Sequence, residues 1–149
     1  MKIADDPPKG EPEITVSGSA MENGLAIMLS SLIRQNIADK RQRLDDLKKL
    51  NIHIGLWAGD IGVKLTMVFK DGGLVFHDGI REDAHVLIVA DSDSILNLSL
   101  LPIKFGLPWL FNKTGITFIG ELISGSLKIT GLFKHPFAVI RLTRLVSVR

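Results

Sequence analysis

From Ile52 to Lys70 apolar and polar residues alternate with a period of two, and that pattern leaves little freedom of fold. Ile52, Ile54 and Leu56 alternate with His53, Gly55 and Trp57, and Ala58-Gly59-Asp60 makes a turn. Ile61, Val63, Leu65, Met67 and Phe69 then alternate with Gly62, Lys64, Thr66, Val68 and Lys70. Successive side chains of a strand point to opposite faces, so this spacing describes half-buried strands. Asp71-Gly72-Gly73 supplies the positive-φ positions of a tight hairpin. Leu74 to His77 and His85 to Ala90 read as two further strands. Strands in sequence with short turns imply an antiparallel meander, polar on one face and covered by helices on the other.

The covering helices are legible on both sides of the sheet. Leu25, Met28, Leu29, Leu32, Ile33, Ile37, Leu44 and Leu47 recur at helical spacing, with Arg34, Asp39, Lys40, Arg41, Arg43 and Asp45 opposite. That is one amphipathic helix over Met21 to Leu50, or two joined near Ala38-Asp39. After the sheet, Asp91-Ser92-Asp93 caps a helix carrying Ile95, Leu96, Leu98 and Leu101. Thr114 to Ser124 places Ile116, Phe118, Ile119, Leu122 and Ile123 at helical spacing, and Gly125 ends it. Ser126 to Thr130 alternates again, a late strand that must rejoin the sheet. His135-Pro136 opens a last helix whose apolar residues are Phe137, Ile140, Leu142, Leu145 and Val148. Ile14 to Val16 is a candidate edge strand. Residues 1–13, rich in proline and charge, read as a flexible tail, leaving 14–149 as a single domain.

Between the helices lies an apolar run, Leu98 to Phe111, broken by Pro102, Gly106 and Pro108. No straight helix can pass through it, because each proline removes a backbone donor and clashes with the preceding turn. Mean hydropathy is high at +0.26, yet no window reaches the roughly 18 apolar residues of a membrane span. The polar start of the chain is not a secretory signal, so a cytoplasmic location is expected. This much broken apolar surface either wraps a ligand or fills a dry core.

Reactive chemistry finds little material. No phosphate-cradling Gly-x-x-x-x-Gly-Lys-Ser/Thr or Gly-x-Ser-x-Gly nucleophile elbow is present, and there is no cysteine or tyrosine. His77, Asp78 and His85, with Asp91 or Asp93 further along, lack the tight spacing of a metal motif and read as exposed strand ends. No catalytic residue, metal ligand or cofactor is therefore assigned. A net charge of +2, with aromatics not interleaved with Arg or Lys, gives no case for nucleic acid. Residues 128 to 149 carry Lys128, Lys134, Arg141, Arg144 and Arg149 and no acid, which fits a helix dipole or a basic surface toward anionic lipid.

Two phrases carry a family resemblance. Ala90-Asp91-Ser92-Asp93 ends a strand and opens a helix, and Gly125-Ser126-Leu127-Lys128-Ile129-Thr130-Gly131 starts a final strand before a C-terminal helix. With the preceding helix and meander, residues 21 to 149 resemble the sterol carrier protein 2 (SCP-2) lipid-binding domain. Leu107-Pro108-Trp109-Leu110-Phe111, His135-Pro136 and Arg141-Leu142-Thr143-Arg144-Leu145 are similar to the bacterial single-domain type, which includes accessory lipid-binding factors of ubiquinone biosynthesis. The resemblance implies an α+β fold, a five-stranded, mostly antiparallel sheet covered on one face by helices, with a hydrophobic tunnel between the layers. It also implies non-enzymatic binding or transfer of a sterol, acyl or isoprenoid-type chain. The stretch from Asp93 to Gly125 is longer than in eukaryotic carriers, and Ser126 stands where the family has lysine.

The expected lining is the apolar sheet face with Leu98, Leu101, Phe105, Leu107, Trp109, Leu110, Phe111, Phe118, Leu122 and Phe133. Singly, each fits core packing better than ligand contact; as a set they point to enclosure. The alternative is an interaction module whose exposed apolar patch docks on a membrane, a partner enzyme or a second copy in a homodimer.

Overall fold

The computed structural model describes residues 12–100, 103–104, 107–108, 113, 116–117, 120, 125 and 127–148. In chain order these form β1 (Ile14–Val16), a 3-10 turn (Gly18–Ala20), α1 (Gly24–Asp39), α2 (Gln42–Lys49) and β2 (Ile52–Ala58). Then come β3 (Val63–Lys70), β4 (Gly73–Asp78), β5 (Val86–Ala90) and α3 (Ser92–Leu100). The short β6 (Ile103–Lys104) and β7 (Leu107–Pro108), β8 (Lys128–Thr130) and α4 (Pro136–Val146) complete the order. The early helical region is two helices, and extended backbone at Lys40 makes the break. Inside the proline-broken run β6 and β7 pair antiparallel, the two-residue ladder that replaces the forbidden helix. The tail expected over 1–13 lies outside the described residues as far as residue 11, but Glu13 already accepts a hydrogen bond from Leu74 N at 2.9 Å.

The main sheet has six strands in the order β1-β4-β3-β2-β5-β8. β2, β3 and β4 form the expected antiparallel meander, and Asp71 (φ +53) and Gly72 (φ +78) turn the hairpin between β3 and β4. β8 rejoins the sheet antiparallel to β5. β1 is the edge strand expected at Ile14 to Val16; it pairs parallel to β4 and adds a sixth strand to the five that the resemblance implies. One feature differs from the expected architecture. β5 does not extend the meander; it pairs parallel to β2, on the far side of β3.

Residues 79–85 explain that crossover. They leave the β3–β4 end, where Gly79 N donates to Lys64 O, and arrive at the start of β2, where His85 N donates to His53 O. On the way they lie across the outer sheet face. The Thr66 hydroxyl donates to Gly79 O at 2.7 Å and accepts from Arg81 N at 3.0 Å, so its burial costs no hydrogen bond. Ile80 packs over Gly55, where an added Cβ would stand 3.2 Å from the Ile80 side chain. Gly55 thus makes room for the loop that a plain alternation pattern cannot foresee.

The inner face is apolar except at Asp78, the last residue of β4, which lies opposite Leu65. Register places Ile129, Ile88, Leu56 and Leu65 in one cross-strand row and Val86, Ile54, Met67 and Phe76 in the next. Against it pack Ala26, Leu29, Ile33 and Ile37 of α1, Leu47 of α2, and Leu142, Leu145 and Val146 of α4. The α1 residues recur three or four apart, one stripe of a helix. On α4 only Leu142 and Leu145 of the expected apolar set are buried. Phe137, five residues before Leu142 and so about 140° around the helix, faces away.

Polar side chains fix the helices in place. Asn23 caps α1 by accepting from Ala26 N at 3.1 Å, while its amide donates to Lys64 O and to Asp78 Oδ1, each at 2.9 Å. Asn36 donates to Leu145 O at 2.8 Å, satisfying one of the last carbonyls of α4. Arg34 donates to Ile14 O, tying α1 to the edge strand. Arg144 of α4 lies 2.8 Å from Asp46 of α2. Burial pushes the Asp46 carboxyl above the usual carboxylate range, against the pull of Arg144 and Arg43. Among the described residues no helix is long and apolar enough to cross a membrane.

Candidate functional site

The helices do not close completely on the sheet. A cavity of about 40 Å³ remains between them. Its floor is Leu56, Met67, Ile88 and Ile129, one from each of β2, β3, β5 and β8. Its roof is Met28, Leu29 and Leu32 of α1, Ile95 of α3, and Leu142, Thr143 and Val146 of α4. Three helices that the sequence separates by up to a hundred residues therefore converge on one row of the sheet.

The lining is aliphatic or thioether except at Thr143, and that hydroxyl donates to Val139 O at 2.9 Å, within its own helix. Among the described residues the cavity offers no charged group and no side chain poised as acid, base or nucleophile. What it can recognise is hydrocarbon. Small-molecule sites commonly measure about 300–1,000 Å³, so this one must widen to admit a chain. Met28 and Met67, unbranched and polarizable, are the lining residues best able to adapt, and Met28 is 39% exposed, at the mouth.

One roof helix is tied at its start to an acidic residue. Asp60, in the β2–β3 turn, accepts from Ser92 N at 2.8 Å and from Ser92 Oγ at 2.6 Å. These bonds hold the Asp60 carboxyl below the usual carboxylate range and seat the start of α3, which brings Ile95 over the cavity.

The expected lining residues fare differently. Leu98 lies on α3 and Leu107 on β7, while Leu101, Phe105, Trp109, Leu110, Phe111, Phe118 and Leu122 lie outside the described residues. Phe133 does not reach the cavity; it stands 98% exposed in the turn between β8 and α4. The apolar sheet face does form the floor. The roof residues Met28, Leu29 and Leu32 belong to the early amphipathic stripe, whose spacing marked them as buried without saying that they face a void.

This arrangement, a mixed sheet with helices over one face and an apolar cavity between, is the SCP-2-like fold. Its particular likeness is to a solved structure described as "UbiJ-SCP2 Ubiquinone synthesis protein": TM-score 0.55, 15% identity, 81% of this chain and 90% of that one. A "Crystal structure of sterol carrier protein 2" aligns at TM-score 0.49 and 12% identity over 80% of this chain and 91% of its own. "Sterol Carrier Protein 2 from Yarrowia Lipolytica (apo form)" aligns at 0.48 and 16% over 83% and 92%. No family model matches the sequence, and no curated protein matches it.

Proposed function

We propose that the protein binds the hydrocarbon part of a lipid between its helical layer and its sheet, without transforming it. The observation that carries this reading is the cavity over Leu56 and Ile88, walled by three helices and, among the described residues, lacking a free polar group. Each methylene moved from water into such a site contributes about 0.8 kcal/mol. A chain of several carbons is therefore held without any headgroup contact, and the headgroup stays at the mouth. The resemblance to a ubiquinone synthesis protein makes an isoprenoid or quinone-type chain the first ligand to test, ahead of acyl chains and sterols.

Native mass spectrometry of the freshly purified chain, followed by solvent extraction and identification of the extract, tests the reading. The expected result is one lipid per chain, displaced by a long-chain competitor. A chain that emerges empty and binds no quinone, fatty acid or sterol probe would remove the cavity from consideration.

A further inference from the structure

Two aromatic rings stand at the end of the molecule where β2, β5 and α4 begin, and the fold does not use them. Phe133 is 98% exposed and Phe137, in the first turn of α4, is 71% exposed. Scattered apolar side chains on a surface are ordinary, but a phenylalanine that touches almost nothing of its own chain contributes nothing to the core.

The turn that carries the rings is firmly held. Gly131 has φ +86, and a Cβ there would collide with the His85 carbonyl oxygen, so the backbone lies directly on the start of β5. His135 N donates to Gly131 O at 3.0 Å. The His135 ring meets His85 edge to face at 5.7 Å between centroids, and His85 meets His53 at 5.4 Å. Pro136 fixes the first turn of α4. The rings project from a rigid base.

Charge at this end favours an anionic partner. Exposed Lys134 stands between the two rings in sequence, and no acidic residue follows Glu121. Exposed Lys48 and Lys49 close α2, just before β2 brings in His53. Exposed Asp71 of the β3–β4 turn and Glu82 and Asp83 of the crossing loop offset part of this charge, against Lys48, Lys49, Lys70, Arg81 and Lys134; Asp83 is already engaged, 3.0 Å from His53 Nδ1 and 3.2 Å from Arg81 Nε. A stable protein interface needs a broad complementary patch, about 800 Å² on each side. Two rings raised on a turn suit a fluid interface better, where each ring enters separately and lysine reaches the headgroups.

We propose that Phe133 and Phe137, with Lys134, dock the protein on a bilayer that contains anionic lipid. This inference goes beyond the cavity and does not depend on what occupies it. The test uses the full chain with vesicles of phosphatidylcholine alone or mixed with phosphatidylglycerol, read by flotation, and sedimentation equilibrium without lipid. The wild type should bind the mixed vesicles at least tenfold more tightly than the neutral ones, and high salt should erase that preference. F133S/F137S should keep the wild-type melting temperature and lose at least tenfold in binding, F133L/F137L should retain it, and K134Q should lose a few-fold. The proposal is overturned if the wild type ignores both vesicles or if F133S/F137S binds as well as the wild type. It is also overturned if the wild type is a dimer that the serine variant dissolves, because the rings would then meet a second copy.

Discussion

Replacing Val146 with isoleucine sets stability against ligand binding. Val146 lines the cavity from α4 and is nearly buried, so the added methylene has only the void to enter. Burying one methylene contributes about 0.8 kcal/mol. The whole void of about 40 Å³, at roughly 24 cal/mol per Å³, caps the gain near 1 kcal/mol. For a chain of this size that corresponds to a melting temperature higher by about 2–3 °C in the delipidated protein. A ligand must use the same space, so the variant should bind a fluorescent long-chain fatty acid or quinone analogue about fourfold more weakly, the equivalent of the displaced methylene. Ile88→Val, on the floor of the cavity, reverses the stability change: it should cost about 0.5–1.5 kcal/mol without weakening the probe. Calorimetry and a fluorescence titration of both variants decide the matter. If Val146→Ile melts lower than the wild type, the void is not where the structure puts it. If it melts higher and binds the probe unchanged, the void is real and the ligand goes elsewhere.

Other perturbations reach the frame around the cavity. Asn36→Ala strips a buried donor from Leu145 O and should cost about 1–3 kcal/mol in urea unfolding, with faster amide exchange at the end of α4. Gly131→Ala forces a side chain into the left-handed region against the His85 carbonyl. It should lose more than the roughly 1–2 kcal/mol of that conformation alone, measured by thermal melting. Asp60 is held below its ordinary value by Ser92, so its stabilisation is present above the ordinary carboxylate pKa of about 3.9 and is lost as pH falls through the lower folded value. Asp83, held low first by His53, acts in the same window. The difference between wild type and Asp60→Asn therefore isolates Asp60: it should be a penalty at neutral pH that shrinks toward pH 3, read in amide exchange at Ser92 to Ile95.

Much of the architecture was legible before any coordinates. The alternation at Ile52–Phe69 defined two strands and their inward residues, except that Ile61 falls in the turn and is exposed, because a strand's two-residue period assigns every side chain to a face. The stripe through Leu29, Ile33 and Ile37 defined a helix that must cover them, and Asp71-Gly72 defined the hairpin. The Ala90-Asp91-Ser92-Asp93 junction and the Lys128–Thr130 strand carried the resemblance to the SCP-2 domain; the first joins β5 to α3 and the second is β8. The parallel seat of β5 was hidden, since local pattern says nothing of which strand is a neighbour. Gly55 and Thr66, read as ordinary outward positions, turn out to hold the crossing loop.

What the sequence determined by itself was local: element type, buried face and turn, each set by interactions among residues a few positions apart. Tertiary structure alone decided that Met28, Ile95 and Leu142 share a cavity with Ile88, and that Phe133 does not. A void is a mismatch between surfaces that meet only after the chain has folded. Apolar spacing specifies that a residue is removed from water, and leaves open whether it then touches a neighbour or an empty space that a ligand can fill.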